Sequence, residues 1–189
     1  MAPRSTAPRS ERYTAWLRGI NVGGKNRLPM AALAELFTAA GGTDVRTYIQ
    51  SGNVVFRAPA SRAAKLAAAV ESAITDGFGF ASPVILRRVD ALRAAVDPNP
   101  FLARGVPADE LHLGLLRDAP TAADVAALDA KRGAPDAFAV IGDHVYLHLP
   151  NGVARSKLTN AYFDRALATV STIRNWRTVL AVLELAEAS

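Results

Sequence analysis

Residues 19–26 read GINVGGKN, one position short of the phosphate-cradling pattern G-x-x-x-x-G-K-[ST]. In that pattern a helix starts at the lysine, loop amides and helix N–H groups face the phosphates, and the next hydroxyl reaches a magnesium ion. Here the last position is Asn26, which has no hydroxyl, and the first helical signal comes only at Pro29. No apolar strand ending in aspartate supplies a second metal ligand. The nucleotide-hydrolysis reading therefore fails on mechanical grounds. What remains is a loop in which Gly19, Gly23 and Gly24 let the backbone approach a partner closely. Arg18, Lys25 and Arg27 supply charge, and Asn21 and Asn26 supply amides. An anionic ligand and a plain solvated turn both fit that description.

Three further segments carry polar groups of interest. In TYIQSGNVVF, Gln50, Ser51 and Asn53 are placed either to satisfy turn backbone, as short polar side chains do, or to line a ligand. In GVARSKLTN, Arg155 and Lys157 flank Ser156 just before a helical pattern. A helix N-terminus there favours an anion, and Ser156 is the expected cap. In TIRNWRTV, Arg174 and Asn175 precede Trp176, whose place on an apolar stripe marks it as core. The candidate ligand-binding set is thus Arg18, Asn21, Gly23, Gly24, Lys25, Asn26, Ser51, Asn53, Arg155, Lys157, Arg174 and Asn175. Nothing comparable points to catalysis. His144 and His148 share one face of a predicted strand but stand well apart along it; they are expected at the surface, and no metal site is expected. No Ser–His–Asp order with a nucleophile elbow occurs, and the carboxylates are scattered. No catalytic residue is assigned and no cofactor is indicated.

The elements that must position these residues follow from periodicity. YTAWLRG (13–19) alternates as a strand. Pro29 opens a helix with Met30, Leu33, Leu36 and Phe37 on one face, ended by Gly41-Gly42. Strands 45–49 and 53–56 flank Ser51-Gly52 as a hairpin, residues 60–76 form a second helix, and 83–89 another strand. This is the βαββαβ split unit of ferredoxin-like folds. A short helix, 90–96, leads into DPNPF, whose prolines mark a boundary. The pattern then restarts: a strand at 110–116, a helix at 121–131 led by Thr121, strands AFAVI and HVYLHL around Gly142-Asp143, and a helix over SKLTNAYFDRAL. In place of a final strand, TIRNWRTVLAVLELA sets Ile173, Trp176, Val179 or Leu180, and Leu183 on a helical stripe. The expected fold class is α+β: two ferredoxin-like (βαββα-type) lobes related by a diverged internal repeat, with an extra C-terminal helix. The expected boundaries are a disordered tail at 1–12, an N-terminal lobe at 13–97, a linker at 98–109 and a C-terminal lobe at 110–189.

Composition narrows the classes. The net charge is +5, but the tail holds Arg4, Arg9 and Arg12 against Glu11, so two of those charges lie there. The body lacks the dense basic face that nonspecific duplex binding uses. With no cysteine, disulfides, thiolate nucleophiles and Cys-based zinc sites are excluded, which fits a cytoplasmic protein. No apolar run reaches the roughly 18 residues that a membrane span needs, and the N-terminus lacks the apolar segment of a secretory signal.

Four segments in order, LRGINVGGKNRLPMAALAELF, VRTYIQSGNVVF, SKLTNAYFDRAL and TIRNWRTVLAVLEL, resemble the bacterial family known as domain of unknown function 1697. The resemblance runs from about Tyr13 to near the C-terminus. It implies two ferredoxin-like lobes and no established activity. It also implies that Asn26 belongs to a motif of its own, so GINVGGKN is not a degenerate nucleotide loop. The function expected is binding of a small phosphate- or carboxylate-bearing ligand through that loop, with Arg174 and Asn175 joining it. The alternatives are a nucleic-acid module stacking bases on Trp16, Tyr48, Phe56 or Tyr146, and a protein-interaction module without catalysis. No membrane partner is expected.

Overall fold

The computed structural model describes residues 10–188, in two compact units. One runs up to Val89 and takes in the chain again from Leu185; the other is Asp90–Glu184.

The first unit contains β1 (Ser10–Leu17), α1 (Met30–Ala39), β2 (Thr43–Tyr48), β3 (Asn53–Pro59), α2 (Ala60–Phe78) and β4 (Val84–Arg88). Its sheet is antiparallel in the order β2-β3-β1-β4. The predicted alternation along β1 holds: Tyr13, Ala15 and Leu17 enter a core with Val54, Phe56, Leu33, Phe37, Leu66, Val70 and Ile74. Phe56 is the pivot, stacked on Tyr13 at 5.6 Å and tilted against Phe37 at 5.2 Å. Burying each such ring contributes about 1.5–3 kcal/mol. The strand begins earlier than its apolar pattern. Ser10, Glu11 and Arg12, assigned to the tail, pair with Pro59, Ala58 and Arg57; the rest of that tail lies outside the described residues. Trp16, Val55 and Ile85, on the other face, are buried as well.

α3 (Val89–Val96) follows, and the same order repeats: β5 (Leu111–Leu116), α4 (Ala122–Ala126), β6 (Ala137–Ile141), β7 (His144–His148), α5 (Asn160–Ala166), β8 (Ser171–Asn175) and α6 (Trp176–Glu187). The sheet order β6-β7-β5-β8 is that of the first unit. Leu116, Val145, Leu147, Leu158, Phe163 and Leu167 form its helix-side core.

Three expectations in this half need correction. The final strand is present: β8 pairs antiparallel with β5, Ile173 opposite Gly114. The repeat is therefore complete, and α6 is the counterpart of α3. The apolar stripe hid the junction because Ile173 serves the sheet and Val179 and Leu183 serve the helix at compatible spacing. Asn175 marks the change, its Oδ1 accepting from the Arg177 N–H at 2.9 Å. Next, α4 stops at Ala126, where Asp129 turns the chain by accepting from the Lys131 N–H at 2.9 Å. Finally, α5 starts at Asn160, not Ser156: Leu158 is buried in the core, and Thr159, not Ser156, caps the helix by accepting from Tyr162 at 3.2 Å. Among the described residues no helix is long and apolar enough to cross a membrane.

Candidate functional site

Local geometry accounts for most of GINVGGKN. Val22 and Lys25 form a bridge, with the Lys25 N–H donating to Val22 O at 3.0 Å. Gly23 and Gly24 between them have φ of 58° and 76°, the double positive φ of a tight two-residue hairpin. Asn21 and Asn26 flank the bridge, also left-handed at 54° and 52°, a region asparagine tolerates. The Asn21 amide donates to Leu28 O and Gln50 O and its carbonyl accepts from the Leu28 N–H, each at 2.9 Å. Asn26 donates to Gly19 O at 2.8 Å. Ile20 and Leu28 anchor both ends in the core. The amides offered by sequence as ligand groups thus close the loop on itself, and α1 begins four residues beyond Asn26.

Lys25 and Arg27 remain exposed. A shallow groove of about 360 Å³ is lined by Asn21, Gly24, Arg27, Leu28, Pro29 and Gln50; Lys25 and Asn26 are not on it. Arg18 is half-buried and tied through its backbone, its N–H to Pro83 O at 3.0 Å and its carbonyl to the Ser82 hydroxyl at 2.9 Å. In the neighbouring hairpin, Asn53 is buried and donates to Tyr48 O at 3.1 Å and Ser51 Oγ at 2.9 Å. Those two side chains hold the turn.

In the second unit Arg174 and Asn175 are consecutive on β8 and point to opposite faces of the sheet. Arg174 donates from Nη1 to Thr172 Oγ1 at 2.6 Å and to Ile173 O at 3.1 Å, and burial lowers its pKa to about 10. Asn175 caps α6. The pair is not one site. His144, expected at the surface, is buried with Nδ1 2.9 Å from Asp143, and His148 is half-buried with Nε2 2.7 Å from Glu110.

Arg155 and Lys157, by contrast, come together with residues the sequence did not single out. They line a polar cleft of about 560 Å³ with Lys131, Asp136 and Asn151, over backbone from Gly133 to Pro135. Two loops build it. The α4–β6 loop is folded by hydrogen bonds from Arg132 N–H to Asp129 O and from Asp136 N–H to Gly133 O. It packs against the β7–α5 loop, where Arg132 Nε donates to Lys157 O at 3.3 Å. Glycine is favoured at 133 by its φ of +85°, a left-handed conformation, rather than by space, since a Cβ there would make only an ordinary contact with Lys157 Cβ at 3.5 Å. Lys131, Arg155 and Lys157 are exposed, and none forms an ion pair with a described carboxylate. Three cations face one carboxylate, Asp136. The signal in sequence was the Lys131-Arg132 pair in a Gly- and Pro-containing loop, which no fixed spacing connects to Arg155.

Of the rings proposed for base stacking, Trp16, Phe56 and Tyr146 are fully or almost fully buried, and only Tyr48 is partly exposed. Among the described residues no group of three or more His, Cys, Asp or Glu side chains is arranged to hold a metal ion.

The architecture is that of a tandem α+β protein, with one ferredoxin-like topology used twice. Residues 11–146 match the family described as protein of unknown function (DUF1697), and the chain belongs to that family. The solved structure of the conserved bacterial protein SP0830 from Streptococcus pneumoniae is similar to it, with a TM-score of 0.69 at 23% identity, over 95% of this chain and 99% of that one. That likeness concerns the fold. No curated protein matches the chain.

Proposed function

We propose that this protein binds a small anionic, phosphate- or carboxylate-bearing ligand, and that the cleft of Lys131, Arg155 and Lys157 in the second unit holds it. The observation that carries this reading is the gathering around one polar cavity of the Asn151 amide and three cations that have no ion-pair partner among the described residues. Its volume lies within the roughly 300–1,000 Å³ of small-molecule sites. Cationic side chains from two separate loops line one cavity, an arrangement that suits phosphate and carboxylate recognition. The GINVGGKN loop offers Lys25 and Arg27 as a second, more open position for an anion.

Thermal unfolding tests both positions. Wild type, Lys25→Ala and the Arg155→Ala/Lys157→Ala double variant are compared with phosphate, sulfate, citrate, sugar phosphates and coenzyme A. A ligand at a hundred times its dissociation constant stabilises by about 2.7 kcal/mol, which for a chain of this size raises the midpoint by roughly 5–10 °C. The expected result is a shift kept in Lys25→Ala and lost in the double variant. A shift lost only in Lys25→Ala moves the site to the loop, and a flat panel ends the proposal.

A further inference from the structure

A second groove, of about 360 Å³, is lined by Arg132, Thr159, Ala161, Tyr162, Arg165 and Ala166. Arg132 and Lys157 join the two: Arg132 follows Lys131 in the chain, and its Nε donates to the Lys157 carbonyl. The groove differs in chemistry from the cleft. Its centre is a ring and a planar cation in contact, the Arg132 guanidinium carbon standing 4.2 Å from the centroid of Tyr162. Arg132 is exposed and Tyr162 half-buried. Tyr162 is itself held from behind, tilted against Phe163 at 5.1 Å, and its hydroxyl accepts from the Asp129 N–H at 3.3 Å. The Arg132 guanidinium is thus held over a fixed tyrosine while the residue stays exposed. A flat cation supported in this way is a stacking platform for an aromatic ring, nucleobases included.

Resting on the anion-site reading above, we propose that the ligand is a nucleotide: its phosphate in the cleft of Lys131, Arg155 and Lys157, its base stacked on the Arg132–Tyr162 pair. A cationic polar cavity adjoining an aromatic groove fits a molecule with a charged end and a flat, ring-bearing end. A bare anion or a sugar phosphate leaves the groove unused.

Isothermal titration calorimetry of the intact chain tests this with inorganic phosphate, ribose 5-phosphate, adenosine 5′-phosphate, uridine 5′-phosphate and short oligonucleotides. Base–aromatic stacking predicts that the nucleotides bind about tenfold or more tighter than ribose 5-phosphate. Arg132→Lys keeps the charge and removes the plane, so it should abolish most of that gain, read as the affinity ratio of nucleotide to ribose 5-phosphate within the variant, because loss of the Arg132–Lys157 bond acts on both ligands alike. The Arg155→Ala/Lys157→Ala variant should weaken every phosphate-bearing ligand. If ribose 5-phosphate and the nucleotides bind equally, and the double variant still weakens both, the nucleotide assignment falls and the anion site stands. If no phosphate compound binds, both fall. Affinity that climbs with strand length from two to six nucleotides overturns the small-molecule assignment in favour of a single strand.

Discussion

Replacing Asn21 by alanine separates a structural loop from a ligand loop. The Asn21 side chain makes three hydrogen bonds at 2.9 Å, two donated to Leu28 O and Gln50 O and one accepted from Leu28 N. Each such bond contributes about 0.5–1.5 kcal/mol net; the part-exposed setting places the three together at about 2 kcal/mol. Alanine must also hold φ at 54°, where a residue with a Cβ and no local amide is disfavoured by about 1 kcal/mol. Asn21→Ala should therefore destabilise by about 3 kcal/mol, and Asn21→Gly, free of the backbone strain, by about 2. Lys25→Ala, at the exposed tip of the same loop, should stay within about 0.5 kcal/mol of wild type. Equilibrium urea unfolding followed by circular dichroism resolves these differences, with the slope watched for changes in the surface exposed. If Asn21→Ala and Lys25→Ala prove equally stable, the amides do not clamp the loop, and their assignment as turn residues is wrong.

Two further outcomes follow from packing and burial. Gly52 has φ of +74°, and a Cβ there would lie 2.7 Å from Leu17 Cβ and 2.8 Å from Ile20 Cδ1; Gly52→Ala should cost about 2–4 kcal/mol from strain and overpacking, seen as a lower urea midpoint, and an unchanged midpoint refutes the packing argument. His112 is buried with Nδ1 lacking a hydrogen-bond partner, and desolvation lowers its pKa, partly opposed by a backbone bond at Glu110. The unfolded chain then binds this proton more readily, so the histidine subtracts nothing above pH 6.5 and progressively reduces stability as pH falls below it. Unfolding midpoints between pH 7 and pH 5 should fall less steeply in His112→Leu than in wild type; equal slopes contradict the burial argument.

Much of the architecture was legible because turn chemistry and apolar spacing agreed. Pro29 and the Met30–Phe37 stripe located α1, and Ser51-Gly52 and Gly142-Asp143 located both hairpins. β8 was missed for a physical reason: five residues are too few to distinguish a half-buried strand from the first turn of the helix that follows without a breaker. The site was less legible. Asparagines beside glycines suit ligand contact and left-handed backbone equally, and sequence holds no distance by which to tell that Asn21 reaches Gln50. Arg155 and Lys157 were named for a helix N-terminus that the structure places after Thr159 instead. They remain of interest because Lys131 and Asn151 stand around the same cavity.

The two halves share strand order and even a repeated arginine, Arg87 and Arg174, each next to last in its fourth strand with Nη1 donating to the preceding residue's carbonyl. Their connections differ in a complementary way. Between β1 and α1 the first unit inserts twelve residues carrying GINVGGKN, where the second has five between β5 and α4. Between β3 and α2 the first unit has no connecting residue, whereas the second places eleven between β7 and α5, including Asn151, Arg155 and Lys157. A duplicated scaffold thus carries its elaborations at non-equivalent ends, and loops on rigid elements are where binding groups are placed. In the first unit the insertion is consumed by its own hydrogen bonds. In the second it leaves cations around a cavity with no ion-pair partner among the described residues. That asymmetry, rather than the motif's likeness to a phosphate loop, is the reason to look for the anion in the second unit.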